Sequence, residues 1–101
     1  MGTNYYLRRD FCPCCGAPRQ ELHIGKCSYG WRFMAHVYKD GMTFDEYKNF
    51  LNTGTLYNEY GDQVAYNDLM DIILSTSHKQ LNSGRDAKSW DECDYTKDDF
   101  R

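Results

Sequence analysis

Hydrophobic and polar positions alternate weakly through residues 3–10, where Tyr5, Tyr6 and Leu7 sit among polar neighbours, and this pattern predicts a short first strand. Residues 11–21 gather both prolines and a glycine, which predicts a turn and loop. The next run is Leu22-His23-Ile24-Gly25-Lys26, then Cys27-Ser28-Tyr29-Gly30, then Trp31-Arg32-Phe33-Met34-Ala35-His36-Val37-Tyr38. Aromatic and β-branched residues on both arms, with turn residues between them, predict a β-hairpin. Closure around residues 27–30 sets Lys26 against Trp31, His23 opposite Met34 and His36 opposite Glu21.

Further along, Thr43-Phe44-Asp45-Glu46 has the form of a capping box, and Phe44, Tyr47, Phe50 and Leu51 recur at helical spacing. A helix over 43–52 follows, with Met42 placed to pack against Tyr47 and Gly54 as the stop. Residues 55–60 and 63–65 flank Gly61-Asp62, a two-residue turn for a second, shorter hairpin. Asn67 is the expected N-cap of a second helix whose apolar stretch is Leu69, Met70, Ile72, Ile73 and Leu74, ending near His78. From Asn82 the chain turns polar and acidic, with Trp90, Tyr95 and Phe100 isolated. The expected organisation is a small α+β domain over 1–81 with antiparallel hairpins and two helices, and an acidic C-terminal arm over 82–101, packed on it or mobile.

Composition narrows the possibilities. With 41% hydrophobic and 16% aromatic residues in 101, the chain can bury one core and has no room for two. It contains no apolar run of about 18 residues and no apolar N-terminal stretch, which predicts no membrane span, no secretory leader and a cytoplasmic location. Tyr6 stands where a myristoylation signal needs Ser or Thr. The net charge of −3 hides a polarity: residues 1–39 are basic and residues 40–101 strongly acidic. That balance argues against sequence-independent nucleic-acid binding by the whole domain and leaves it open to the N-terminal half.

Four of the five cysteines, Cys12, Cys14, Cys15 and Cys27, fall within 16 residues, which in a cytosolic chain reads as metal before disulfide. Cys12-Pro13-Cys14-Cys15-Gly16 contains C-P-x-C-G, a bend that turns two thiolates into one concavity while turn N–H groups donate to sulfur. Zinc takes about four ligands, and His23, Cys27 and His36 are the candidates for the other two. The expected hairpin register makes His23 and His36 diagonal neighbours on one face, giving a structural Zn2+ site of Cys12, Cys15, His23 and His36. Cys27, in the expected turn, is the poorer ligand; Cys14 is expected to point away, and His78 and Cys93 to be surface or packing residues. The opposing readings are two small buried hydrophobes or a redox pair for the cysteines, and satisfied sheet histidines for His23 and His36.

The run Met1-Gly2-Thr3-Asn4-Tyr5-Tyr6, the C-x-x-C-G knuckle, and Leu22-His23-Ile24-Gly25-Lys26 with Ser28, Gly30-Trp31, Phe33 and His36 resemble a family of small, mostly uncharacterised tailed-bacteriophage proteins. The similarity is close over residues 1–38, extends to Glu59-Tyr60-Gly61, and is uninformative over 80–101. It implies Cys12, Cys15, His23 and His36 as shared metal-capable positions and places serine where this chain has Cys27. It also implies a phage origin, and by analogy a protein that binds and modulates, or inhibits, a host protein such as a CRISPR effector or another antiviral defence component.

Three functions are therefore weighed. The first is a non-enzymatic binding module whose contacts are Tyr29, Trp31 and Arg32 or the acidic Asp91, Glu92, Asp94, Asp98 and Asp99, facing a host protein that itself handles nucleic acid. The second is nucleic-acid binding through Arg8, Arg9, Arg19, Lys26 and Arg32, with Tyr29 and Trp31 as stacking surfaces. The third is an acid–base enzyme using His23, Lys26 and His36 near Trp31.

Overall fold

The structure is a computed structural model that describes residues 2–28, 30–39, 41–80 and 88–97. Two long strands, β1 (Gly2–Phe11) and β2 (Pro18–Ser28), form an antiparallel ribbon at the centre of the sheet. Proline is tolerated at the first position of a strand, so β2 starts at Pro18 inside the segment expected to be loop. The short β3 (Met34–His36) adds to one side of the ribbon. The β4 (Thr55–Asn58) and β5 (Gln63–Val64) hairpin adds to the other. β6 (Lys88–Ser89) and β7 (Asp94–Thr96) close the far edge, β7 running parallel to β3. Among the described residues the sheet order is β5-β4-β1-β2-β3-β7-β6. With two helices, this is a small mixed α+β domain.

Helix α1 (Phe44–Leu51) forms where expected, and Thr43 and Glu46 make both hydrogen bonds of the capping box. It ends at Asn52. Gly54 has another role: a Cβ there would press on the Arg8 carbonyl oxygen, so its bareness lets the chain cross β1 closely. Helix α2 (Tyr66–Ser75) begins two residues before the expected cap, on Ala65, without a side-chain cap bond, and stops short of His78. Both helices pack on one face of the sheet. Tyr47, Leu51, Leu69 and Ile73 meet Tyr5, Leu7, Ile24, Phe33, Ala35, Val37 and Leu56 there, and the Tyr47 hydroxyl donates to the Ile24 carbonyl. The β4–β5 connection uses four residues rather than two, because the Asn58 side-chain oxygen accepts from both the Tyr60 and Asp62 N–H groups.

One further expectation is corrected. The β2–β3 register pairs Gly25 with Ala35 and Lys26 with Met34, three positions away from the predicted one. The connection is longer than a tight turn because residues 31–33 turn inward. Trp31 bridges to Gln80, the Phe33 N–H donates to Thr76 Oγ1, and Arg32 reaches Asp94. The described part of the expected acidic arm, residues 88–97, packs on the domain as β6 and β7, with Cys93 and Asp94 fully buried.

Candidate functional site

The β1–β2 ribbon runs beyond its neighbours. β4 pairs with β1 as far as Arg8, and β3 pairs with β2 only at Gly25 and Lys26, so the ribbon end is two strands wide. The sequence makes this end turn sharply. Asp10 holds a φ of 58°, a conformation that Asp tolerates better than most residues, and Gly16 holds a φ of 74°. The Cys12 N–H donates to the Ala17 carbonyl and the Gly16 N–H to the Cys12 carbonyl, each at 2.8 Å. Cys12 is half-buried in the turn, whereas Phe11, Cys14 and Cys15 are exposed. The Cys12 thiol is lowered to about 7, first by the backbone N–H of Cys15, then by that of Cys14, with smaller effects from the Cys15 thiol and Arg19. Donors aimed at sulfur stabilise the thiolate, which is the form that binds a metal.

His23 and His36 lie elsewhere. Tyr5 pairs with Gly25 but Tyr6 pairs with His23, so Ile24 is an extra residue in β2. Strict alternation counted back from Gly25 would aim His23 at the helices. The bulge instead leaves both Ile24 and Gly25 on the helix face, where Phe33 covers Gly25, and turns His23 to the opposite face beside Tyr6. There the Nδ1 atoms of His23 and His36 stand 2.9 Å apart, His23 Nε2 lies 2.9 Å from Asn4 Oδ1, and Tyr38 stacks on His36. The Tyr38 hydroxyl donates to the His23 carbonyl at 2.7 Å. Asn4 Oδ1 is an acceptor, so His23 carries its proton on Nε2; in the neutral pair, His36 Nδ1–H therefore donates to His23 Nδ1. Both rings are almost fully buried.

The four expected ligands are thus brought together in two pairs and not in one site. His23 lies five positions along a hydrogen-bonded strand from Pro18 beside the cysteine turn, roughly 17 Å at strand rise. Cys27 is farther still, opposite Thr3, with its thiol raised by burial. Among the described residues no group of three or more His, Cys, Asp or Glu side chains converges as a metal site. Asn4 and Tyr38 are the residues that sequence reasoning missed. Tyr38 had a signal, lying two positions after His36 and so on the same face of a strand, whereas Asn4 had none.

The expected contact residues divide in the same way. Arg32 and Asp94 are buried against each other, 3.2 Å apart, and the Arg32 guanidinium also donates to the Trp90 and Asp91 carbonyls. Both are interior structure rather than a contact surface, and the basic set proposed for nucleic acid loses Arg32 with them. Arg8 pairs with Glu21 at 2.6 Å and lies over the Tyr57 ring, while Arg9 binds Gln20 and Thr53. Trp31 is half-buried and Asp91 exposed. Glu92 lines an open groove of about 540 Å³ between Phe44, Lys48, Tyr66 and Met70. Tyr29, Asp98 and Asp99 lie outside the described residues. No helix among the described residues is long and apolar enough to cross a membrane.

No family model matches this chain, and neither a curated protein nor a solved structure matches it.

Proposed function

We propose that this chain is a zinc-binding protein of the tailed-phage type that engages and modulates a host protein, with the projecting end of the β1–β2 ribbon as its contact element. One observation carries the reading: the Cys12 to Cys15 turn sits on an exposed ribbon end, away from the core. A metal-capable turn held out in solvent at the end of a two-stranded projection is accessible to another molecule. Zinc at Cys12 and Cys15 would rigidify the turn and fix Phe11, 40% exposed at its base, as an apolar anchor. The class of partner, a host protein, comes from the resemblance in residues 1–38.

The test places a photo-crosslinking residue at Phe11 and, separately, at Leu74 on the outer side of α2. Host proteins captured in cells are identified and their binding reconstituted with purified components. The reading expects capture from position 11, with Phe11→Ala and Cys15→Ser each weakening the reconstituted complex about tenfold or more. Capture from position 74 alone, with affinity indifferent to both substitutions, would overturn it.

A further inference from the structure

We propose that two copies of this chain share one zinc ion at their ribbon ends, Cys12 and Cys15 of each copy making a four-thiolate site. The inference rests on the zinc-binding reading above and deepens it. A structural zinc site is closed by about four protein ligands, and the knuckle supplies two. Among the described residues, His23, His36 and Cys27 are far up the ribbon, Cys93 is buried in the core, and no third His, Cys, Asp or Glu converges with the Cys12 and Cys15 pair as a metal site. The remaining ligands therefore come from a second molecule.

An identical knuckle fits that need geometrically. Two equal pairs of ligands at a tetrahedral ion are related by a two-fold axis through the ion, which is the symmetry of the commonest homodimers. Access is open, because the turn lies at the end of a two-stranded projection on a molecule 44 Å long and 26 by 22 Å across. Two such projections can meet end to end while the bodies stay apart. Charge is compatible as well. Zinc with four thiolates carries two net negative charges, and each copy brings its turn N–H groups and Arg19. The linkage needs the thiols of the turn and leaves Phe11, at the base of each turn, for a partner, so the assembled dimer is bivalent.

The experiment titrates metal-free, reduced protein with Zn2+ to equimolar amounts and follows mass by light scattering and bound metal by elemental analysis. The expected result is a dimer holding about one zinc per two chains, reversed by chelator, with Co2+ in its place giving the strong charge-transfer absorption of a tetrathiolate site. Cys15→Ser, which touches only an exposed turn and whose fold is checked by circular dichroism, stays monomeric and takes up no metal. Cys14→Ser dimerises like the wild type. One zinc per chain on a monomer would overturn the shared site and leave the zinc-binding reading standing. No uptake by the wild type would remove both, and dimerisation lost in Cys14→Ser but kept in Cys15→Ser would overturn the assigned pair.

Discussion

His23 and His36 meet through their Nδ1 atoms at 2.9 Å because a single extra residue, Ile24, turns His23 onto the face that His36 already occupies. A gap of that length holds one proton. The buried pair is thus a matched donor and acceptor, continued by Asn4 at His23 Nε2 and covered by the Tyr38 ring stacked on His36. In the metal account this pair serves the fold, and the knuckle serves the metal.

The tautomers follow directly. Long-range proton–nitrogen spectra of the neutral protein are expected to show a protonated Nδ1 on His36 and an unprotonated Nδ1 on His23. Finding both imidazoles protonated on Nε2 alone would break the proposed hydrogen bond. His36→Ala leaves His23 with an unmade bond in a buried site and is expected to cost about 1–3 kcal/mol in urea denaturation.

Gly25 tests the bulge. A side chain there would run into the Phe33 ring that lies over it. Gly25→Ala is expected to destabilise by about 1–3 kcal/mol through overpacking. A neutral effect in chemical denaturation would mean that Phe33 is free to move aside.

Arg32 and Asp94 are structural partners, so their loss is expected to damage folding before any binding. Asp94→Ala removes the charge partner of a buried guanidinium and is expected to cost about 3–5 kcal/mol. The double substitution Arg32→Met with Asp94→Leu is expected to recover part of that loss, since it removes both charges. An Asp94→Ala protein as stable as the wild type in thermal unfolding would refute the assignment.

The thiols are expected to differ by position in alkylation of the metal-free protein. Cys12 is lowered to about 7 by the Cys15 and Cys14 N–H groups, so its thiolate fraction rises through neutrality; its rate should be low at pH 6 and near its plateau by about pH 8. Burial pushes Cys93 far up, and it should react only on unfolding. A Cys12 rate that begins to climb only above pH 8 would contradict the turn geometry.

Local signals in the sequence were sound where a few adjacent residues decide the outcome. The Thr43–Glu46 box forms as expected, because its partners are three residues apart. The two hairpin strands flanking Gly61 also form. What remained hidden depends on distant partners. Alternation cannot reveal the Ile24 bulge, since the bulge exists through pairing with β1 and the helix-face packing of Phe33. Residues 88–97 read as part of an arm because their composition is polar and acidic, whereas the burial of Asp94 is made tolerable by Ser89 and by Arg32, 62 positions earlier. The turn around Cys12 to Gly16 was legible from its proline and glycine, but the separation of its thiols from the histidines follows from a ribbon longer than the proline-containing segment suggested.

The central claim is that metal binds at the ribbon end and not at the histidines. Elemental analysis of zinc-loaded protein after removal of free metal tests it directly, comparing wild type, Cys15→Ser and His36→Ala. The account predicts that Cys15→Ser loses the zinc while His36→Ala, although less stable, keeps the wild-type content. Loss of zinc in a folded His36→Ala protein would contradict it and return the histidines to the metal site.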